Sequence, residues 1–171
     1  MTGLEAAPLT AEAFAPFGDV LEAAGPPDKW INDARCARFH DRATLDFGPE
    51  GRAGISVFES RTVAWPVEVA MVERHPEGSQ AFLCLTGDPF LVVVAPDAEG
   101  APGTPLAFVA APGQGINFHR RTWHGVLMPL RGPGLFAVVD RIGATPNLEE
   151  HRFDAPWIVT PGDACKGTAL A

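Results

Sequence analysis

The stretch Glu73-Arg74-His75-Pro76-Glu77-Gly78-Ser79-Gln80-Ala81-Phe82 decides how this chain is read, together with the later Gly113-Gln114-Gly115-Ile116-Asn117-Phe118-His119-Arg120-Arg121-Thr122-Trp123-His124. The two segments hold three of the five histidines, with acids, amides and arginines, at the ends of short apolar runs. Alternate residues of a strand share a face, so an apolar row that ends in polar side chains describes a packed floor below a polar rim. In Val67–His75 the odd positions Val67, Val69, Met71, Glu73 and His75 are expected on one face. Gln80, Phe82 and Cys84 are expected to share a face in the same way.

Outward from these segments the pattern repeats. Seventeen prolines and eighteen glycines are spread along the chain while 46% of residues are apolar, so turns cut it into many short strands. Strands are expected at Gly54–Glu59, Val67–His75, Gln80–Leu85, Pro89–Ala95, Pro105–Ala110, Gly115–His119, Thr122–Met128 and Gly134–Arg141. Helix signal is confined to Thr10, an N-cap residue followed by Glu12 and Phe14 before Pro16 and Gly18. Pro96–Pro105 reads as a surface loop, Pro146–Asp154 as an irregular wrap, and Trp157-Ile158-Val159 as an anchor before ten loose terminal residues. With 171 residues the chain is one domain, 1–171, with its barrel core at about 50–143. The fold class is mainly β, an antiparallel jelly-roll barrel with few short helices.

Composition excludes several classes. A net charge of −8 repels nucleic acid phosphates and anionic membrane surfaces, so no nucleic acid or membrane partner is expected. Neither a long apolar span nor a secretory signal is visible, and Cys36, Cys84 and Cys165 are odd in number and far apart. These features fit a cytoplasmic protein with reduced thiols. Cys84, inside an apolar run, reads as a small buried residue, and Trp30, Trp65 and Trp157 as core or interface aromatics.

Glu73-x-His75, then Gln80 and Gly87, reproduces the spacing of the first cupin motif with two changed residue types. Glu73 stands in place of a histidine and Gln80 in place of a glutamate. Trp123-His124-Gly125 resembles the surroundings of the last cupin histidine, with Met128 where an asparagine is usual. Glu73, His75, Gln80 and His124 form an acceptable imidazole and oxygen ligand set for a divalent transition metal. The alternative is a metal-free pocket in which the same groups move protons. His119 and His124 face opposite ways on a regular strand unless Arg120-Arg121-Thr122 forms a turn that resets the phase. Arginines beside imidazoles, as in Arg38-Phe39-His40-Asp41 and Asp140-Arg141, invite a small carboxylate, with a salt bridge as the competing use.

Several of these words occur together elsewhere. Glu73-Arg74-His75-Pro76 with Gln80-Ala81-Phe82, Phe90-Leu91-Val92-Val93-Val94-Ala95, Gly115-Ile116-Asn117-Phe118-His119-Arg120 with Trp123-His124, and Val139-Asp140-Arg141 resemble the ureidoglycolate lyase family of the cupin superfamily. Leu9-Thr10 through Phe14, Phe17-Gly18-Asp19-Val20, Ile31-Asn32 and Arg38-Phe39-His40-Asp41 resemble its N-terminal part, so the likeness covers about residues 4 to 143. The resemblance implies a cupin-type barrel, usually a homodimer. It also implies a carbon–nitrogen lyase of the amidine-lyase type that splits (S)-ureidoglycolate into glyoxylate and urea in allantoin and purine degradation, with nickel as the favoured divalent metal.

That substrate is a hemiaminal carrying a carboxylate, so its cleavage needs a base for the hydroxyl proton, an acid for the departing nitrogen and a cation for the carboxylate. His75, His119 and His124 are the catalytic candidates, and Glu73 is a ligand or an orienting group. Arg38, His40, Arg74, Gln80, Asn117, Arg120 and Arg141 are the candidates for binding substrate. Another cupin enzyme acting on a small carboxylate, or a non-enzymatic small-molecule-binding cupin, are the competing classes.

Overall fold

The computed structural model describes residues 2–167. The chain runs through β1 (Thr2–Pro8), a one-turn helix α1 (Ala11–Phe14), β2 (Gly18–Leu21), and a hairpin of β3 (Lys29–Ile31) and β4 (Cys36–Arg38). It continues with β5 (Arg52–Glu59), β6 (Val67–Arg74), β7 (Gln80–Cys84), β8 (Phe90–Ala95), and a small hairpin of β9 (Asp97–Ala98) and β10 (Ala101–Pro102). Then come β11 (Leu106–Ala110), β12 (Gly115–Phe118), β13 (Trp123–His124), β14 (Met128–Pro129), β15 (Leu135–Ile142), β16 (Glu149–Pro161) and a 3-10 turn at Asp163–Cys165. The helix begins as the sequence suggests, with Thr10 Oγ1 accepting from Ala13 N at 3.2 Å.

One sheet orders its strands β11-β1-β16-β6-β13-β8-β14 and also pairs β11 with β8, so six strands close into a barrel. A second sheet, β2-β12-β7-β15-β5, lies against it. The chain is mainly β, a jelly-roll barrel of the cupin type, as expected. Strand β8 is buried along its whole length, and its side chains serve two cores. Leu91 and Val93 pack with Val67, Val69, Val109 and Val159. Phe90, Val92 and Val94 point the other way, between the sheets, against Phe14, Phe82, Phe118, Phe136 and Val138. A strand buried on both faces reads as an unbroken apolar run, which is what Phe90–Ala95 is.

Four expectations are corrected. The first concerns β1, which pairs in parallel with both β11 and β16, so the barrel is mixed and its sheets reach well outside residues 50–143. In the second, the irregular wrap at Pro146–Asp154 holds from Glu149 onward the start of the 13-residue strand β16. Its register against β6 jumps between Arg152 and Trp157, and Pro156, which cannot donate to a ladder, sits in that bulge. Third, Thr122–Met128 is two short strands, because the register against β8 slips by one residue between His124, across from Val94, and Met128, across from Leu91. Fourth, the terminus is not uniformly loose: Asp163–Cys165 turns and buries Cys165, while residues 168–171 lie outside the described part. Val159 anchors the end of β16 as expected. Cys84 is half-buried, with its sulfur 3.4 Å from Thr86 Oγ1, and Trp30 stands exposed on the β3–β4 hairpin.

The intersheet core sets stability. Phe136 is fully buried and meets Phe90 edge to face at 5.1 Å. Phe136→Ala is expected to cost about 3–5 kcal/mol in equilibrium guanidinium unfolding, and Thr10→Ala about 1 kcal/mol.

Candidate active site

The expected odd-numbered row on β6 does not hold, and its failure makes the site. Val67 and Val69 face the barrel interior, but next it is Val72, fully buried, that packs with Ala95 and Trp123 on that side. The phase changes opposite the bulge of β16, where extra residues on one strand twist the pair. Glu73 is therefore turned into the space between the sheets. It lies directly across from His124, which in turn lies across from the intersheet residue Val94.

His124 is fixed by stacking on Phe118, with ring centroids 4.1 Å apart and planes within 6° of parallel. His75 follows the end of β6, its ring centroid 5.3 Å from that of His124. One ligand atom from each of Glu73, His75 and His124 lies within 4.8 Å of the others. His75 Nδ1 is 2.7 Å from the carbonyl of Asn147, and His124 Nδ1 is 3.0 Å from that of Gly125. A carbonyl only accepts, so each imidazole donates from Nδ1, which leaves Nε2 as the atom available to a ligand. Both Nε2 atoms are buried without a hydrogen-bond partner among the described residues, and a Glu73 carboxylate oxygen is 4.0 Å from that of His75.

Burial sets the protonation of this trio. His124 is held down to about 3, first by desolvation and then by repulsion from His75, so its ring is neutral across the working range. Burial pushes the Glu73 carboxyl up, against the pull of His75 and with the help of Glu150. Two free imidazole lone pairs beside a carboxylate fit a divalent metal ion, and histidine ligands whose other nitrogen is tied to a carbonyl are the usual supporting arrangement. Gln80 is 93% buried by its 7% exposure, with Oε1 unpartnered. It lies across from Phe118 and so shares the intersheet face with it.

Glu73 and His124 open into a cleft of about 520 Å³ whose other walls are Phe58, Glu59 and Ser60 of the β5 side, Phe82, and Gly125 to Leu127. Among the described residues, two carboxylates and the His124 imidazole line the cleft, and neither lysine nor arginine does.

The remaining candidates have polar partners outside the trio. His119 and Asn117 lie on the outer face of β12, not with the trio: Asn117 Nδ2 donates to Asp19 Oδ2 at 2.9 Å, and His119 Nε2 is 3.3 Å from Asp19 Oδ1. Arg120-Arg121-Thr122 does form the turn expected of it, with Arg121 at φ +70° and Thr122 N donating to His119 O. Arg120 donates to Pro76 O and lies 3.8 Å from Asp46. Arg74 projects from the face of β6 opposite Glu73, bound to Asp97 and Glu149 at 2.6 Å each and seated 4.3 Å over the Trp123 ring. Arg141 is buried, donating to Phe47 O and facing Glu77, with Gly51, Gly78 and Gly143 against its side chain. Arg38 and His40 bond one another at 2.7 Å on the exposed arm. Asn147 was missed by sequence reading: its carbonyl orients His75 while its side-chain oxygen accepts from Glu77 N. It lies in a loop before β16 with no motif around it.

These features define a cupin with a carboxylate and two imidazoles turned toward an intersheet cleft. A sequence model of the ureidoglycolate lyase family matches residues 1–160. The chain is 57% identical to "Ureidoglycolate lyase" of Rhodobacter capsulatus over 152 residues, which is 89% of this chain and 94% of that protein. It is 49% identical to "Ureidoglycolate lyase 2" of Rhizobium meliloti over 160 residues, 93% and 98% of the two chains, and 51% identical to the Mesorhizobium japonicum lyase over 90% and 94%. The chain belongs to the ureidoglycolate lyase family, as its sequence resemblance implied.

The neutral His124 has a consequence for stability. Its folded pKa lies below its unfolded value, so between about 6.5 and about 3 the unfolded chain binds a proton that the folded one refuses. Metal-free protein should lose stability as pH falls through that window, with a slope of up to about 1.4 kcal/mol per pH unit from this residue alone. Denaturant unfolding of the wild type and His124→Gln at several pH values checks it, the variant showing the shallower slope.

Proposed function

We propose that this protein is a ureidoglycolate lyase, cleaving (S)-ureidoglycolate to glyoxylate and urea by an elimination of the amidine-lyase kind. The observation that carries the reading is the pair of unpartnered Nε2 lone pairs beside Glu73, in a chain of this family. Breaking the hemiaminal carbon–nitrogen bond requires loss of the hydroxyl proton and gain of a proton at the departing ureido nitrogen. His124, neutral and anchored, is an acceptor or ligand and not a donor at neutral pH. Glu73, whose carboxyl is pushed up by burial, is suited to hold and return a proton. His75, beside both, completes the exchange.

The trio also suits a divalent cation, with nickel favoured by the family resemblance. Such an ion, when bound, supplies a positive charge for the substrate carboxylate and for the developing oxyanion. His119, Asn117, Arg74, Arg120 and Arg141 are assigned to holding the loops around the site, and Arg38 with His40 to the exposed arm. A homodimer in the cytoplasm, working in allantoin degradation, is the setting that goes with this reading.

The purified protein should release glyoxylate and urea in equal amounts from one enantiomer of ureidoglycolate. Ammonia in place of urea, or no product, would defeat the assignment. His75→Ala should lower kcat by about 10²–10⁴-fold while His119→Gln stays near wild type. Chelation should abolish activity, and adding Ni²⁺ to the stripped protein should raise its melting temperature, a shift that Glu73→Ala and His124→Ala lose. Full activity in protein free of metal by elemental analysis would leave the trio as an acid–base site only.

A further inference from the structure

The second sheet carries another polar pair on its intersheet face, beside the residues that line the cleft. Strand β15 alternates Phe136, Val138 and Asp140 toward the intersheet space, Phe136 and Val138 being fully buried in its core and the ladder to β5 running without a bulge. Asp140 is thus the last inward residue of an apolar row. Its Oδ1 is buried and has no hydrogen-bond partner among the described residues. Val139 lies across from Ala81, so one step further along the same register Asp140 stands beside Gln80, whose Oε1 is also buried and unpartnered. Gln80 in turn lies across from Phe118, the ring on which His124 stacks. Phe118, Gln80 and Asp140 therefore form one row across the second sheet, and His124 and Glu73 one row across the first. Gly54 lies across from Asp140 on the other side, and a Cβ there would collide with Ile142.

Two buried acceptors left without donors cost stability unless a ligand supplies N–H groups. We propose that Asp140, with Gln80 beside it, reads the ureido group, its carboxylate accepting from the terminal NH₂. The assignment rests on the proposed lyase reaction and extends it: the first sheet handles the proton and the carbon–nitrogen bond, the second selects a ureido over an acyl group. The leaving urea keeps its NH₂, so the contact is made in ground state and transition state alike, and its loss falls on KM more than on kcat.

The test compares ureidoglycolate with its acetamido analogue, in which a methyl group replaces the terminal NH₂ at nearly the same size. Wild type should prefer the ureido substrate by about 10–100-fold in kcat/KM, the range for a hydrogen bond to a charged group. Asp140→Asn and Asp140→Ala should raise KM for ureidoglycolate and remove most of that preference. Equal losses on both substrates would make Asp140 structural and overturn the proposal, as would an undiminished preference. Urea binding followed by calorimetry needs no turnover, and wild type should bind urea more tightly than Asp140→Asn. Wild type that binds urea but forms no product would sink the lyase reading and leave the ureido-reading pair standing. Equal urea affinity in folded wild type and variant would sink the pair alone. If both variants fail to fold, wild type without preference for the ureido substrate overturns the proposal by itself, and a preference in the stated range supports it.

Discussion

The site depends on one irregularity, the phase change of β6 opposite the bulge of β16. A strand buried on one face presents every second residue to the core, and with strict alternation Glu73 would follow Val67 and Val69 into the barrel interior. Instead Val72 fills that interior beside Ala95 and Trp123, and Glu73 emerges across from His124. The same step sends Arg74 to the opposite face, onto Trp123 and between Asp97 and Glu149. Alternation separates the acid from its neighbouring base, and the bulge decides which of the two faces the cleft.

What the site can do follows from how little its imidazoles are allowed to move. Each Nδ1 is committed to a backbone carbonyl, and His124 is further clamped by the Phe118 ring. Removal from water keeps the His124 ring neutral, because charging it beside His75 would be unfavourable twice over. Unpaired lone pairs in a buried setting are otherwise rare, since an unmet hydrogen-bonding atom destabilises the fold. Their retention, with a carboxylate close by, is what a ligand-binding constellation requires.

Much of this was legible in the sequence. The strand positions followed from proline and glycine punctuation, and Phe90–Ala95 showed its double burial as an unbroken apolar run. Glu73, His75 and His124 stood out by spacing. The parallel strand β1 was hidden because only Ala6 of its seven residues is buried, and β16 because its bulge breaks the period and most of its side chains are exposed or half-exposed. The face assigned to β6 failed for the same reason: the bulge that shifts its phase is on another strand, far along the chain. Asn147 works largely through its backbone carbonyl, which no residue type announces.

The arginines are the most instructive difference, because they bear on what must neutralise the substrate. A carboxylate substrate invites a guanidinium, yet Arg74, Arg120 and Arg141 are bound to acids and carbonyls that tie loops together. Among the described residues the cleft itself presents Glu59 and Glu73 and neither lysine nor arginine, in a chain of net charge −8. An anion brought there against two carboxylates meets repulsion that falling dielectric only strengthens. Protonating Glu73 removes one of the two negative charges and supplies no positive one. The neutral His124 ring offers a lone pair, which repels a carboxylate as well. Glu73, His75 and His124, the residues that could hold a divalent cation, are thus also the groups through which a site lined by neither lysine nor arginine would offset the charge of an anion.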